Sequence, residues 1–341
     1  MFNIDTNEQI FICGHRASGG GLLMSLLDFH PELLVYPDES KFFYLFYPIM
    51  DDKNLNADKK IKYLINHNLE YLKNILFKKC KSTDKYFNFN SFIDRFKILA
   101  SDGLNWDDYL KAMIQSYAEH SPQNKNEIKF WVERTTCSEI YYLEIIKVFP
   151  KSKFIHNVRD PRDNYASLKS RWDSKLKYLS DSTSLEALRQ SCIQRSKLGL
   201  TMGLLNKKLG GNKKYYFSKY EDLVNDLEGS LYNISKFLNI NPDSLIKTPT
   251  FCGLPWIGNN FSGKKFKEVS NVQVGKWRER ITDYEAALME FHFKDFMKIF
   301  GYKIEYSDRE QLYAASKHYK WLNFKSSTKA DLKLATKVKF K

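Results

Sequence analysis

The chain has 341 residues, 43% of them apolar and 28% charged with both signs mixed, enough for a large core and against general disorder. Its formal net charge of +14 fits plain solubility and equally fits attraction to a polyanion: a nucleotide phosphate, an acidic glycan, nucleic acid or an anionic membrane. Five cysteines without a CxxC pair suit neither zinc nor a disulfide framework, no apolar run is long enough to span a membrane, and the polar start Met1–Glu8 lacks the marks of a signal peptide, so a cytoplasmic chain is expected.

In chain order, Gln9–Cys13 is a short apolar run stopped by a glycine, as in a buried parallel strand. Gly19–Phe29 predicts a helix with Leu22, Leu23, Leu26 and Leu27 on one face, ended by His30-Pro31-Glu32. Leu33–Tyr36 is a second strand, stopped by Pro37. Residues 51–125 are rich in Lys and Asn, with Ile61, Leu64, Ile65, Leu69, Leu72, Ile75 and Leu76 at helical spacing, and predict an inserted helical region that includes a helix over Trp106–Tyr117. Lys129–Glu133 predicts a strand, Ser138–Phe149 a helix, Lys153–Val158 a strand, and Leu185–Leu209 a long helix ending at Gly210-Gly211. Lys214–Ser218 is a further strand and Leu227–Leu238 a helix. Strands alternating with helices imply an α/β fold with a central, mainly parallel sheet flanked by helices. The tail from Lys317 carries eight lysines against one acid, Asp331. It reads as a solvated or frayed end, or as a peripheral contact for anionic lipid or an acidic acceptor.

Two strand-to-helix turns carry anion-binding chemistry. In the first, Gly14-His15-Arg16-Ala17-Ser18-Gly19-Gly20-Gly21, glycines let the backbone approach an anion while N–H groups and the helix dipole point at it. Ser18 adds a hydroxyl, Arg16 a charge, and His15 could contact a sulfate. Gly14 and Gly19 fit the start of a Walker A loop, but Gly20 and Gly21 stand where its Lys and Ser/Thr belong, which disfavours an ATP- or GTP-cleaving enzyme. In the second, Arg159 ends a strand, Asp160-Pro161 forces a turn, and Ser167 comes eight residues after Arg159 on the next helix. The guanidinium fork and the hydroxyl can converge on one phosphate, with Arg162 near enough to help or to pair with Asp163.

Together these residues resemble the sulfotransferase superfamily that uses 3′-phosphoadenosine-5′-phosphosulfate (PAPS), most closely the carbohydrate and tyrosylprotein type and its bacterial relatives. In that family a strand–loop–helix of the form Arg-Ser-Gly-Thr-Thr-Leu-Leu grips the 5′-phosphosulfate; the resemblance carries this role onto Arg16, Ala17, Ser18, Gly19, Gly20, Gly21 and Leu22. His30-Pro31-Glu32 and the acidic pair Asp38-Glu39 match the family's His-Pro-Glu and acidic pair beyond that helix, and Arg159 with Ser167 matches the 3′-phosphate element. Lys219-Tyr220-Glu221-Asp222-Leu223, Phe237-Leu238 and Val274-Gly275-Lys276-Trp277-Arg278 resemble later landmarks, with Tyr220 near the adenine and Trp277 in the core. Lys264 and Lys265 are candidates for a late basic loop over the 3′-phosphate. The landmarks run from residue 10 to 280, and the helical insert and the tail have no counterpart.

The resemblance implies a P-loop-like nucleotide-binding domain over 1–310 and a basic tail over 311–341. It implies a PAPS-dependent sulfotransferase that releases PAP, with metal-independent in-line transfer to a hydroxyl acceptor, a saccharide first of all. Glu39 is the expected base and Asp38 its substitute. Acceptor choice is expected within residues 42–130 and the later loops. The family has Arg or Lys immediately before the loop's Ser-Gly, whereas this chain has Ala17 there, and Gly20 and Gly21 replace two threonines. A donor lost from developing charge costs ~100-fold or more in rate. Either Arg16 supplies the cation, or transfer is slow, or the chain is a catalytically degenerate PAPS/PAP-binding protein with a structural or partner-binding role. A nucleic-acid partner, suggested by charge and 15% aromatics, lacks any recognised motif and is not expected.

Overall fold

Five short apolar runs become parallel strands in the computed structural model, which describes residues 3–80, 87–175, 182–245, 248–256 and 268–322. The first elements are β1 (Glu8–Cys13), α1 (Gly20–Leu27), β2 (Leu33–Val35), α2 (Ala57–Leu64), α3 (Glu70–Cys80), α4 (Phe89–Ala100) and α5 (Trp106–His120). Then come β3 (Phe130–Arg134), α6 (Tyr142–Val148), β4 (Lys153–Val158), α7 (Pro161–Lys175), α8 (Ser182–Lys214) and β5 (Tyr215–Lys219). The last are α9 (Tyr220–Asn225), α10 (Leu227–Leu238), β6 (Thr250–Phe251), β7 (Leu254–Pro255), α11 (Asp283–Ile299) and α12 (Asp308–Leu322). Lys264, Lys265 and the tail beyond 322 lie outside the described residues.

The chain divides into two compact units, Met1–Arg159 with Gly199–Asn271, and Asp160–Leu198 with Val272–Lys341. The first holds the sheet, in the order β2-β3-β1-β4-β5. β1 is central, with β3 on one flank and β4 on the other, all parallel. Where strand order reverses in this way, a crevice opens beyond the carboxyl ends of the strands, and ligands bind there.

Residue alternation gives each sheet face its own core. Phe11 and Cys13 of β1 join Trp131, Phe154 and Tyr215 on one face. Phe11 stacks on Phe154 at 5.3 Å between centroids, and Phe154 on Tyr215 at 5.7 Å. Ile10 and Ile12 join Val132 and Ile155 on the other, covered by Leu23, Leu26 and Leu27 of α1 and by Leu231, Ile234 and Leu238 of α10. Lys153 Nζ donates to the carbonyls of Phe237 (3.0 Å) and Leu238 (2.8 Å), closing the last turn of α10.

The expected helical insert is α2 to α5. Its asparagines, which composition alone leaves as background, work as caps. The Asn56 and Asn88 side chains accept the N–H of Lys59 and Ser91, each at 3.0 Å, and Asn105 forms a capping box with Asp108. The helix expected over Ser138–Phe149 is instead a 3₁₀ turn, Ser138–Tyr141, followed by α6. The long helix is interrupted where its glycines predict: Gly211 has φ 66 and ψ −169, outside helical geometry.

In the second unit one carboxylate organises the packing of α7, α8 and α11. Glu285 accepts from the Tyr165 hydroxyl (2.7 Å), Lys169 Nζ (2.8 Å) and Arg189 Nη2 (2.9 Å), and caps its own helix through the Thr282 N–H (2.9 Å). Asp163 accepts the N–H groups of Gly275 (2.6 Å) and Trp277 (2.7 Å). Trp277 is buried, with the guanidinium carbons of Arg162 and Arg278 each 4.4 Å from its ring, so it is a packing residue as expected. No helix among the described residues is long and apolar enough to cross a membrane.

Candidate functional site

The first glycine-rich turn leaves β1 at the crevice. Gly14 has φ +112, and a Cβ there would lie 2.4 Å from the Asn157 carbonyl oxygen of neighbouring β4, so only glycine fits. The loop passes through Ala17 in the left-handed region (φ 62) and Gly19 (φ 97) before α1 begins. The Ser18 N–H returns to the His15 carbonyl at 3.3 Å, a tight turn with Ser18 buried. The Leu23 N–H takes the Gly19 carbonyl at 3.0 Å as the first helical bond, so the N–H groups of Gly20, Gly21 and Leu22 project from the helix end. A Cβ at Gly19 would fall 2.7 Å from the Tyr220 ring, and one at Gly20 2.9 Å from Arg134 Nε and 3.3 Å from Asn157 Nδ2. Bare backbone, with Gly14 and Gly19 both at positive φ and crowded where a Cβ would stand, is a cradle suited to an anion.

Arg159 meets this loop from the end of β4, because β4 pairs directly with β1. Its Nη1 donates to the Ala17 carbonyl at 3.0 Å, and its guanidinium carbon sits 4.4 Å from the centre of the Tyr220 ring. Arg159 and Tyr220 thus brace the loop from one side. Ser167 lies half-buried on α7, in the second unit.

The acidic pair reaches the loop's other side through β3. The Tyr36 N–H donates to the Val132 carbonyl (2.9 Å) and the Ser40 N–H to the Arg134 carbonyl (3.0 Å), so residues 36–40 run along the end of that strand. The Ser40 hydroxyl bonds to buried Glu133, and Asn68 Nδ2 holds the Ser40 carbonyl at 2.6 Å, tying the helical insert to this segment. Glu39 Oε1 accepts the Thr136 N–H at 2.8 Å, and Oε2 lies 3.8 Å from Arg134 Nη2. Burial by itself would raise the Glu39 pKa; the Arg134 charge, the bonds to Thr136 and the Arg16 charge outweigh it and hold the carboxyl below its ordinary value. It is therefore a carboxylate at neutral pH, able to accept a proton.

Sequence reasoning missed Arg134. Its side chain is only 16% exposed and stands between Glu39 and the Gly20 backbone, a cation beside the cradle where Ala17 offers none. No local signal marks it: only the pairing of β3 with β1 shows that a basic residue at the carboxyl end of β3 faces the crevice. Arg16, the expected supplier, is exposed and stacked over Tyr44 at 5.0 Å. Asp38 takes a left-handed conformation (φ 60) beside Glu39. His30 is spent on structure: its Nδ1 accepts the Glu32 N–H at 3.1 Å and its Nε2 meets the Asn241 carbonyl at 3.0 Å.

Solved structures similar to this one include the sulfotransferase domain from the Synechococcus PCC 7002 olefin synthase, with TM-score 0.58, 18% identity, and 88% of this chain and 97% of that one covered. Another is the sulfotransferase domain from the curacin biosynthetic pathway, with TM-score 0.56, 16% identity, and 88% and 99% covered. At these identities they share the fold. No curated protein matches the chain. The model of a sulfotransferase family matches residues 9–244, well over half the length, and the chain belongs to that family.

Proposed function

We propose that this protein is a PAPS-dependent sulfotransferase that moves the sulfuryl group to a hydroxyl acceptor, in the first instance on a saccharide. PAPS, when bound, supplies an activated sulfuryl group with PAP as leaving group. In this reading the N–H groups of Gly19–Leu22 and the Ser18 hydroxyl bind the 5′ end. Arg159 and Ser167, eight residues apart in sequence, bind the 3′-phosphate, and Tyr220 lies by the base. Arg134 neutralises charge on the bridging oxygen, the task that the Ala17 position leaves undone. Glu39 takes the acceptor proton, with Asp38 as its neighbour. A base of lowered pKa suffices, because the acceptor hydroxyl becomes strongly acidic only as its bond to sulfur forms.

The observation that carries this proposal is the junction of Arg134 with Glu39 (3.8 Å) and with the Gly20 backbone: cation, base and cradle meet at one point. It supports transfer over a binding-only role on one of that role's two grounds, the cation missing at Ala17, the other being the triple glycine. The Asn68–Ser40 bond supports the helical insert as the acceptor side. The test is a thermal titration with PAP. A ligand at ~100 times its dissociation constant adds about 2.7 kcal/mol, a rise of several degrees. The rise is expected in the wild type and is reduced in Arg159→Ala. No rise in the wild type would overturn the proposal.

A further inference from the structure

Directly behind the glycine-rich loop lies a group of buried polar side chains that the proposed transfer does not use: Cys13 of β1, Glu139 of the turn after β3, His156 of β4 and Tyr215 of β5. Glu139 is 0% exposed, and its Oε2 accepts the Gly14 N–H at 3.0 Å. A carboxyl thus holds the first peptide of the anion cradle. His156 Nδ1 meets the Tyr215 hydroxyl at 2.8 Å, and Cys13 Sγ lies 3.7 Å from the same hydroxyl. The Gly199–Lys214 part of α8 closes the group by coming in without side chains. A Cβ at Gly199 would stand 2.4 Å from Glu139 Oε1, and one at Gly203 2.5 Å from His156 Nδ1. Asn206 Nδ2 holds the Glu139 backbone carbonyl at 2.7 Å. Lys207 of the same stretch is committed to the Tyr215 carbonyl.

We propose that Glu139 is a positioning residue that carries a proton whenever the loop holds its anion, so that nucleotide binding takes up a proton from solvent. This rests on the reading of the loop as the 5′-phosphosulfate site. A neutral carboxyl still accepts the Gly14 N–H and keeps the loop in shape. An ionised one would put a negative charge one peptide from the bound anion, in an interior where screening is weak. Among the described residues, the titratable groups packed in with it are Cys13, Tyr215 and His156, and none of the three is a cation: burial pushes the Cys13 thiol and the Tyr215 phenol well up and the His156 imidazole down to about 3, so these stay neutral. Cys137 lies on the Cys13 side and His15 on the His156 side of the group. Burial also raises Glu139 itself, to about 7, against the lowering effect of its hydrogen bonds, including that from Gly14. The free protein at neutral pH is then a mixture of protonated and ionised Glu139, and an anion on the loop selects the protonated form. Reciprocity requires affinity to fall as pH rises, by up to ~tenfold per unit above about pH 7.

The test is calorimetric titration of the full chain with PAP at about pH 7.5 and 8.5, in two buffers of different ionisation heat. The phosphates of PAP are already ionised in this range. Expected are uptake of a substantial fraction of one proton per PAP and several-fold weaker binding at the higher pH. Glu139→Gln, which keeps an acceptor for Gly14, should abolish the uptake and flatten the pH profile. Should that variant not fold, proton uptake by the wild type decides alone. PAP binding without proton uptake overturns this proposal while sparing the assignment of the site. Uptake that persists in Glu139→Gln overturns it too, by moving the proton elsewhere. Failure to bind PAP at any pH removes both. The Cys13 thiol, the Glu139 carboxyl and the His156 ring come within 4.8 Å of one another, so one equivalent of zinc in the purified chain would also overturn it, since a metal displaces the proton.

Discussion

Gly14→Ala tests whether the cradle is held by backbone contact. Its added Cβ would stand 2.4 Å from the Asn157 carbonyl oxygen and 3.1 Å from the Asn157 nitrogen. Both atoms are backbone in β4, between β1 and β5, and cannot swing aside as a side chain tip would. The residue must also keep φ near +112. At mid-range the backbone strain costs about 2 kcal/mol and the overpacking about 2 kcal/mol more, so a loss of roughly 4 kcal/mol is expected. Gly301→Ala isolates the first effect, because Gly301 has φ +70 with nothing within 4 Å of its Cβ position; it should cost about 1 kcal/mol. At about 2–4 °C per kcal/mol, ligand-free thermal melts should fall by roughly 8–16 °C for Gly14→Ala and by only about 2–4 °C for Gly301→Ala. Two variants melting within about 2 °C of each other would show that the loop does not press on β4, and the geometry proposed for the cradle would fail with it.

Labelled PAPS with a panel of hydroxyl acceptors separates the roles at the junction. Arg134→Ala should lower kcat by about 100–1000-fold with a much smaller change in PAP affinity, and Arg134→Lys should recover part of the loss. Equal losses in PAP binding and turnover would make Arg134 a simple ligand-binding cation. Glu39→Gln should lower turnover ~100-fold or more and leave PAP binding nearly unchanged; wild-type turnover would remove Glu39 as the base. In the second unit, burial alone would raise the Glu285 pKa, but Lys169, the Thr282 N–H, Tyr165 and Arg189 together hold it at about 2. A depressed carboxyl stabilises the fold fully above its unfolded value near 4.5, and the contribution drains away as pH falls toward 2. The gap in urea midpoint between wild type and Glu285→Gln should therefore be widest near neutral pH and shrink below about pH 4.5; a constant gap would refute the assignment.

Read by itself, the sequence determined whatever local rules govern. Short apolar runs gave β1, stopped by Gly14, and β4, stopped by the Asp160-Pro161 turn; the 3.6-residue period gave α10 and the helical insert, and the glycines of 14–21 marked the anion turn, since each signal needs only a few neighbouring residues. The pairing of strands remote in the chain decided the rest. Arg134 is one of 54 lysines and arginines, and nothing near it in sequence distinguishes it. It becomes the cation of the cradle because β3 pairs with β1 in a register that sets Arg134 opposite Ile12, just ahead of the loop. Glu139 likewise reads as one more acid at a helix start, until the 3₁₀ turn carries it beneath Gly14 and α8 excludes water with bare glycines. Burial and non-local pairing set the charge state and the reach of a side chain, and neither is written in its immediate neighbours.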